Sequence, residues 1–255
     1  MVVLKSASEL ATMREAGRIV AQTLKAVSEA AAPGVTLQEL DDLAREMLAE
    51  KGAKSSFLHY HPSFAPIPYP AVLCLSVNDA IVHGIPDARP LAEGDLLSID
   101  FGAHVDGYHG DSAVTVGIGA VDDAAQRLSD TCRAALDAGI AAAQPGARLG
   151  DISYAVQTVC RSAGYGMPTG YGGHGVGTAM HEDPHLPNEG KPGRGLTLRP
   201  GLVLAIEPMV VESGSDRHRL LRDGWTVSTV DGSRAAHWEH TVAITESGPE
   251  ILTAL

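Results

Sequence analysis

Two aspartates lie within a segment that otherwise has the composition of buried β-strands. They are Asp100 and Asp111, in LLSIDFGAHVDGYHGDSAVTVG at residues 96–117. An ionised carboxylate among apolar residues is costly unless a metal ion, a counter-charge or a shared proton compensates its charge. The sequence HVDG at 104–107 predicts a hairpin, and a turn of even length puts both aspartates on one face of it. The pair therefore indicates a cation-binding or proton-sharing site, with two exposed turn or edge aspartates as the alternative.

Three further residues are candidate ligands for the same cation site. Glu207 ends the apolar segment VLAIE, Glu239 begins EHTVAI, and His174 lies among glycines in GGHGVG. Oxygen ligands with one imidazole suit Mn, Co, Fe or Zn, and four carboxylates exceed what one tetrahedral zinc ion accepts. The set therefore indicates two divalent ions, about 3.5–4 Å apart, bridged by carboxylates. For Glu239, the alternative is an edge-strand carboxylate paired with Arg234.

Two short motifs in the same region match known patterns but lack their structural context. Residues 181–185, HEDPH, match the zinc motif H-E-x-x-H, which requires both histidines on one face of a helix. Pro184 makes such a helix unfavourable. Residues 170–175, GYGGHG, match G-x-G-x-x-G without the β-α-β unit of a dinucleotide site. We expect neither function, and we expect the glycines to allow close approach of the backbone around His174.

The bulk composition argues against several classes of protein. The chain has 255 residues, 44 % of them hydrophobic and 20 % charged, with a net charge of −12. The negative charge argues against nucleic acid or an anionic membrane as the main partner. Three well-separated cysteines, Cys74, Cys132 and Cys160, indicate neither a disulfide framework nor a structural zinc site. Because no secretory signal and no apolar stretch of about 18 residues is present, we expect a soluble, cytoplasmic protein.

Periodicity and turn signals predict a single domain with four helices, at 6–31, 37–52, 122–143 and 150–163. Capping-box spacing marks the start of the first two helices, at Ser6 and Thr36. A loop rich in proline and aromatic residues is predicted at 57–70, followed by a strand at 71–77. No linker divides the chain.

Two pairs of similar segments indicate an internal repeat. The pairs are PGVTLQEL with PGARLGDI, at 33–40 and 145–152, and LAEGDLLSID with LRPGLVLAIE, at 91–100 and 198–207. Their offsets are similar, at 112 and 107 residues, and the second pair aligns Asp100 with Glu207. We therefore predict two equivalent halves, about 1–120 and 121–255, each built of two helices followed by strands.

Five longer segments resemble the signature sequences of the type I methionine aminopeptidases. They are VNDAIVHGIPD, LSIDFGAHVDGYHGDSAVTV, GGHGVGTAMHEDP, VLAIEPM and WEHTVAIT, between residues 77 and 245. The separation of 33 between His174 and Glu207 leaves no room for the helical insertion of type II enzymes, so the chain resembles the short bacterial form. The resemblance implies an α/β (α+β) "pita-bread" fold with two pseudo-symmetric halves, a central antiparallel sheet and helices on the outside.

The resemblance also implies a ligand set for two divalent metal ions (Co, Mn, Fe or Zn). Asp111 and Glu239 would bridge both ions, and Asp100 would chelate one of them. His174 and Glu207 would hold the other ion. Glu207 would in addition transfer a proton to the leaving amine. The ligand set shows no departure from the family pattern.

Further residues match family positions that contact the substrate. His83 and His181 would flank the scissile peptide, and Tyr69, Cys74 and Trp225 would line the methionine pocket. From the residues alone, a turn histidine is the favoured interpretation of His83, and the three pocket residues are more often ordinary core. The other histidines are assigned to the surface or to supporting positions: His59, His61, His104, His109, His185, His218, His237 and His240.

The activity that the resemblance implies is metal-dependent removal of the initiator methionine from newly made polypeptides. The substrates would have a free N-terminal methionine and a small second residue. The family expectation is a monomer without a nucleic-acid function or membrane association. Contact with the ribosome stays open, because the acidic charge neither explains nor supports it. One departure is Met180, where the family often has an aromatic residue, so the methionine pocket is expected to have an altered shape.

Two alternative functions on the same fold stay open at this point. A proline-specific aminopeptidase or dipeptidase usually carries an additional N-terminal domain, whereas here only two helices precede the first site segment. A catalytically inactive binding module typically loses metal ligands, whereas all five are present. Hydrolysis of methionyl against Xaa-Pro peptides would separate the two enzymes, and metal analysis would identify the inactive module.

Overall fold

The computed structural model describes residues 2–63 and 65–255. Phe64, in the predicted loop at 57–70, therefore lies outside the described residues. The helices are α1 (Ala7–Ala30), α2 (Leu37–Lys51), α3 (Asp123–Ala142) and α4 (Leu149–Ser162). The strands are β1 (Lys54–Ser55), β2 (Leu73–Val77), β3 (Ala80–Val82), β4 (Leu96–Val105), β5 (Tyr108–Gly117), β6 (Gly172–Gly175), β7 (Glu182–Pro187), β8 (Val203–Ile206), β9 (Met209–Val211), β10 (His218–Leu220), β11 (Val227–Thr229), β12 (Ala235–His237), β13 (Glu239–Thr245) and β14 (Gly248–Ile251).

The first two helices begin at the predicted capping boxes. The Ser6 and Thr36 side chains accept from the third-residue amides, and the glutamates at those third positions accept from the cap amides in return. Each box satisfies two backbone donors that a helix start otherwise leaves unpaired. Helix α2 ends at Gly52, whose φ of 64° lies in the left-handed region that favours glycine. All four predicted helices are confirmed to within one or two residues.

Within the described residues, the main sheet has nine strands, and its long path runs in the order β1-β4-β5-β13-β8-β6-β7. Strand β2 pairs with β4, and β14 pairs with β13. Two smaller sheets, β10-β11-β3 and β12-β9, lie outside this path. Every pairing between the strands of the described residues is antiparallel. The predicted mixed class, an antiparallel sheet with helices packed against it, is confirmed.

The two helix pairs pack against different parts of the main sheet. Helices α1 and α2 share a buried cluster with β4: Val20, Leu24, Leu40, Leu48, Leu97, Ile99 and Phe101. Helices α3 and α4 share another with β8 and β13: Leu136, Ile140, Ile152, Leu204, Ile206, Val242 and Ile244. Burial of each such side chain contributes about 1.5–3 kcal/mol, so these clusters anchor the strands that carry the acidic residues.

The predicted repeat has counterparts at equivalent places in the two parts of the chain. A β-bridge joins Thr36 to Pro90, and another joins Arg148 to Thr197. Each connects the start of the second helix of a pair to the segment before an acid-bearing strand. These bridges support two equivalent halves near 1–120 and 121–255, and the boundary itself stays a prediction. Over the described ranges, none of the helices has the length and hydropathy needed to cross a membrane.

Candidate active site

The hairpin of β4 and β5 brings Asp100 and Asp111 to one face of the sheet. Its two-residue turn, Asp106-Gly107, has positive φ values of 49° and 81°, as the tightest hairpin turns require. In the resulting register, Asp100 lies opposite Ala113, and Asp111 lies opposite Gly102. Paired positions point to the same side, and so do residues two apart, so both carboxylates face one space. The predicted shared face is confirmed.

Strands β13 and β8 bring Glu239 and Glu207 to the same space. Leu204 and Ile206 of β8 pack against the helices, so the alternation along the chain turns Glu207 to the opposite side. The side-chain amide of Asn188 donates to the Glu207 carbonyl at 2.9 Å, and the Ser112 hydroxyl donates to the Glu239 carbonyl at 2.5 Å. Both glutamates therefore project from backbone that buried polar side chains hold in place.

Glu239 is not paired with Arg234, which overturns the alternative interpretation of this residue. The Arg234 guanidinium instead binds Glu212 at 2.8 Å and Asp122 at 2.9 Å. Glu239 lies in the interior of the main sheet, opposite Ala113 of β5, and is only 2 % exposed. The edge-strand alternative fails because β13 pairs with strands on both sides.

His174 projects from β6 into the space between the carboxylates. Its Nε2 lies 3.5 Å from Glu207 Oε1 and 3.8 Å from Asp111 Oδ2. Its Nδ1 lies 2.9 Å from the carbonyl of Gly175, which can only accept, so Nδ1 carries the proton. Nε2 is therefore left as a lone-pair donor that faces the acids. Burial lowers the pKa of His174 to about 3, which keeps the imidazole neutral and able to ligate a cation.

Burial changes the protonation of all four carboxyl groups. It raises the pKa of Asp111 to about 7. Burial, and next the charge of Asp111, hold the pKa of Asp100, Glu207 and Glu239 well above the usual range of carboxyl groups. The cause is that removing four like charges from water together is unfavourable. The cluster therefore retains protons until a cation replaces them.

Several buried atoms in this cluster have no hydrogen-bond partner among the described residues. They are Asp100 Oδ1, Asp111 Oδ1, Glu239 Oε1 and His237 Nε2. Two sets of three residues bring ligand atoms within 4.8 Å of one another, namely Asp111 with His174 and Glu239, and Glu207 with His237 and Glu239. Buried acceptors without partners, grouped at this spacing, fit the oxygen and imidazole donor set of divalent metals.

A cavity of about 290 Å³ opens beside the carboxylates. Its lining combines the acidic residues with an apolar wall: Phe57, Tyr60, Tyr69, Cys74, His83, Asp100, Asp111, His174, Met180, His181, Glu207, Trp225 and Glu239. The rings of Tyr69 and Trp225 meet edge to face, with centroids 5.1 Å apart. The cavity therefore places an apolar pocket directly next to a cation-binding cluster.

Two further histidines, His83 and His181, line the same cavity. The His181 ring contacts two other rings. Its centroid lies 5.2 Å from that of Tyr60 and 4.1 Å from that of His174. His83 has a left-handed backbone with φ of 60°, which is unusual for a residue other than glycine and is often found at functional sites. The Leu75 amide donates to the Gly84 carbonyl at 2.8 Å, which holds this strained turn. Burial lowers the pKa of His83 to about 4, so its ring is neutral.

All ten candidate site residues from the sequence line this one cavity, and their individual roles stay predictions. The two rejected motifs also lack the required structure, because HEDPH continues into β7 after its first residue and the last four residues of GYGGHG form β6. The aromatic walls from Phe57 and Tyr60 were not identified from the sequence. His237 was assigned to the surface or to a supporting position; its 2 % exposure shows that the surface assignment is wrong.

Comparison with known proteins agrees with this geometry. The sequence profile of metallopeptidase family M24 matches residues 11–246. A methionine aminopeptidase 1 of Mycobacterium tuberculosis is 52 % identical over 99 % of this chain and 95 % of its own length. The chain belongs to the methionine aminopeptidase family of M24 metallopeptidases. A crystal structure of methionine aminopeptidase from Thermotoga maritima has 42 % identity and a TM-score of 0.95, with full coverage of both chains.

Membership of the methionine aminopeptidase family confirms the predicted pita-bread fold. A prolidase from Pyrococcus furiosus also matches, with a TM-score of 0.77 over 99 % of this chain. Its identity is 21 %, so it shares the fold alone, and this chain covers 66 % of its length. Family membership and the buried donor set together support a divalent-metal centre in this methionine aminopeptidase relative.

Proposed function

We propose that this protein removes the N-terminal methionine from newly made polypeptides whose second residue is small. The observation that carries the proposal is the single cavity in which five candidate metal ligands lie beside an apolar pocket. The related methionine aminopeptidases, one of them 52 % identical, support the same activity. The proline-specific alternative has only a fold likeness in its favour, and the inactive module is disfavoured because all five candidate ligands converge.

The charge of the cluster favours two divalent ions over one. Four ionised carboxylates carry four negative charges, which two divalent cations would neutralise. Asp111 and Glu239 would hold both ions, Asp100 would hold one of them, and His174 with Glu207 would hold the other. When bound, ions of the Co, Mn, Fe or Zn type supply Lewis acidity, which lowers the pKa of water and polarises a peptide carbonyl.

The pocket suits a methionine side chain because its polar groups are turned away from the cavity. The Tyr69 hydroxyl lies 2.9 Å from the carbonyls of Leu73 and Gly84, and the Trp225 indole N–H donates to the Ile67 carbonyl at 3.0 Å. These side chains therefore present ring surfaces, together with the thiol of Cys74 and the thioether of Met180. A thioether makes favourable contacts with aromatic rings and fits an irregular apolar surface.

Three residues would act on the peptide itself. Glu207 would accept the proton of the attacking water on a carboxylate oxygen and pass it to the leaving amine. His83 and His181 line the cavity together with the carboxylates, and each would donate an N–H. One would stabilise the developing oxyanion of the scissile carbonyl, and the other would orient the neighbouring amide. The neutral state of His83 leaves one ring nitrogen protonated for this task.

The compartment and partners follow from the same proposal. All three cysteines are unpaired thiols in buried positions, which agrees with a reducing cytoplasm where new chains are made. The partners would be nascent or recently released polypeptides with a free N-terminal methionine. We propose a monomer, because the cavity is complete within one chain.

A peptide assay tests this function. Metal-free protein would be loaded in turn with Mn²⁺, Co²⁺, Fe²⁺ and Zn²⁺ and given Met-Gly-Met and Xaa-Pro peptides. We expect hydrolysis of the methionyl peptide only, and its loss in Asp111→Asn while circular dichroism shows an intact fold. Near-normal turnover by Asp111→Asn would exclude the bridging role. A preference for Xaa-Pro substrates would instead support the proline-specific alternative.

A further inference from the structure

His237 lies inside the carboxylate cluster, although neither its motif nor the proposed reaction gives it a role. It ends β12, two residues before Glu239, and is 2 % exposed. Its Nε2 lies 3.5 Å from Glu207 Oε2 and 3.9 Å from Glu239 Oε2. This nitrogen has no hydrogen-bond partner among the described residues. A buried imidazole nitrogen that faces two carboxylates without bonding to either requires an explanation.

The position of His237 repeats that of His174 on the other side of Glu207. Nε2 of His174 lies 3.5 Å from Glu207 Oε1, and Nε2 of His237 lies 3.5 Å from Glu207 Oε2. Each histidine also faces a second carboxylate, Asp111 at 3.8 Å or Glu239 at 3.9 Å. Each carboxylate oxygen of Glu207 therefore has one imidazole nitrogen 3.5 Å away. A residue that is expected to ligate and one without a role thus occupy matching positions.

The separation of 3.5 Å between His237 Nε2 and Glu207 Oε2 is that of two ligands that share a cation. A hydrogen bond between imidazole and carboxylate spans about 2.7–3.2 Å, which is shorter than either distance from His237. Two ligands at about 2.1 Å from one ion, at tetrahedral or octahedral angles, lie about 3.0–3.5 Å apart. We propose that His237 is a sixth protein ligand of the metal centre, and that its Nε2 shares a divalent ion with Glu207. The inference rests on the metal centre of the proposed function and adds a second imidazole to it.

The backbone of His237 is fixed in a way that suits a ligand. The Thr115 hydroxyl donates to the His237 carbonyl at 2.7 Å and accepts from the His237 amide at 2.9 Å. The Thr115 hydroxyl also lies 2.8 Å from that of Ser98 in the β4–β5 hairpin, and this contact is buried. Because both backbone groups are held, the ring stays directed at Glu207 and Glu239.

A second imidazole would change which metals the site prefers. One histidine among four carboxylates makes a predominantly oxygen site, which suits Mn²⁺. With a second imidazole on the ion that Glu207 holds, the donor set of that ion becomes better matched to Zn²⁺ and Co²⁺. We therefore expect His237 to contribute more to the affinity for Zn²⁺ than to that for Mn²⁺.

Nitrogen NMR of the histidine side chains tests this assignment directly. Metal-free protein labelled with ¹⁵N-histidine would be titrated with Zn²⁺, and long-range ¹H–¹⁵N correlations would be recorded for the wild type, His174→Gln and His237→Gln. We expect two Nε2 resonances to move to the metal-bound position in the wild type and one in each variant. His240→Gln is the control, because its ring bonds to Thr253 at 2.8 Å, outside the cluster.

Calorimetry with Zn²⁺ distinguishes a ligand from a hydrogen-bonding group. Glutamine at 237 can still donate to Glu207 but is a poor zinc ligand, so we expect His237→Gln to lose at least about tenfold in Zn²⁺ affinity. Wild-type affinity in His237→Gln, or a single shifted imidazole that disappears only in His174→Gln, overturns the sixth ligand and leaves the five-ligand centre intact. If no imidazole shifts in the wild type, the metal centre itself is wrong.

Discussion

The hydroxyl of Thr241 holds both backbone groups of Asp111. It accepts from the Asp111 amide at 2.9 Å and donates to the Asp111 carbonyl at 2.7 Å. Thr241 is fully buried and lies on β13, two residues after Glu239. The two acids proposed to bridge the ions are therefore fixed relative to each other by one side chain across the pair of strands.

Removing this hydroxyl is expected to affect both stability and metal binding. Thr241→Val keeps the shape but leaves a buried amide and a buried carbonyl unpaired, which costs about 1–3 kcal/mol for each group. We expect a lower free energy of unfolding, measured by urea denaturation, and weaker Mn²⁺ binding, measured by calorimetry. Thr241→Ser retains the hydroxyl and serves as the control. Equal stability of the valine and serine variants would show that the Thr241 hydroxyl contributes nothing to the free energy of unfolding.

The metal-free protein is expected to lose stability as the pH rises. Asp111 has a pKa of about 7 in the folded protein because of burial, above that of an unfolded chain. The folded state therefore binds the additional proton, and its stabilising effect is complete at low pH and lost as the pH rises through about 7. Relative to that of Asp111→Asn, the free energy of unfolding of the wild type should fall by up to about 1.4 kcal/mol per pH unit between pH 4 and 7.

Chemical denaturation in the presence of a chelator, at several pH values, measures this difference. The comparison with Asp111→Asn removes the opposite contribution of the buried histidines, whose pKa values burial lowers. Saturating Mn²⁺ should abolish the fall in the free energy of unfolding with pH, because bound cations favour ionised carboxylates. The opposite result would be a wild type whose free energy of unfolding increases relative to that of Asp111→Asn as the pH rises. That result would contradict the proposed protonation of the cluster.

Trp225 is expected to contribute to substrate binding more than to the chemical step. Its ring packs against that of Tyr69 in the apolar wall of the pocket. Trp225→Leu removes an aromatic contact of roughly 1–1.5 kcal/mol, so KM for a Met-Ala-Ser peptide should rise about tenfold with a smaller change in kcat. Met180→Leu conserves volume in the same pocket and should change KM by less than about twofold. A fall in kcat with an unchanged KM would exclude the pocket role of Trp225.

The ion pair between Lys5 and Glu182 is expected to hold the segment that carries His181. Lys5 Nζ lies 2.6 Å from Glu182 Oε2, with side chains 3 % and 14 % exposed. Lys5→Met would remove the charged partner of a carboxylate that is 14 % exposed and that keeps the Ala179 amide as a donor, which costs about 1–3 kcal/mol. We expect a matching fall in the urea midpoint and a reduced kcat/KM.

Lys25→Met is the matched control for this pair. It removes an exposed pair with Glu29 on α1, which should change stability by less than about 1 kcal/mol. If the Lys5 and Lys25 variants unfold at the same urea concentration, the buried pair does not stabilise the segment around His181.

Much of the site could be predicted because its signals are local. The Asp106-Gly107 turn and the odd separation of Asp100 and Asp111 determine which face the carboxylates share, whatever the rest of the fold. Helix starts at Ser6 and Thr36 follow from hydrogen bonds within four residues of chain. Such features depend little on tertiary structure, so sequence patterns identify them reliably.

Other parts of the site depend on tertiary packing and were missed. Tyr60 belongs to a loop without periodicity, and only the fold brings its ring to 5.2 Å from that of His181. His237 carried one usable signal, because it lies two residues before Glu239 and residues two apart in extended chain share a face. That signal was insufficient, since the type of a residue does not show which neighbours surround its ring.

The central claim is that side chains distant in sequence bind two divalent ions in the cavity. Anomalous diffraction from crystals grown with Mn²⁺ measures this most directly, because it locates each ion independently of the protein atoms. We expect two peaks about 3.5–4 Å apart, within coordination distance of Asp100, Asp111, His174, Glu207 and Glu239. A Mn²⁺-saturated crystal with no peak among these five residues, or with its peaks elsewhere, would contradict the account.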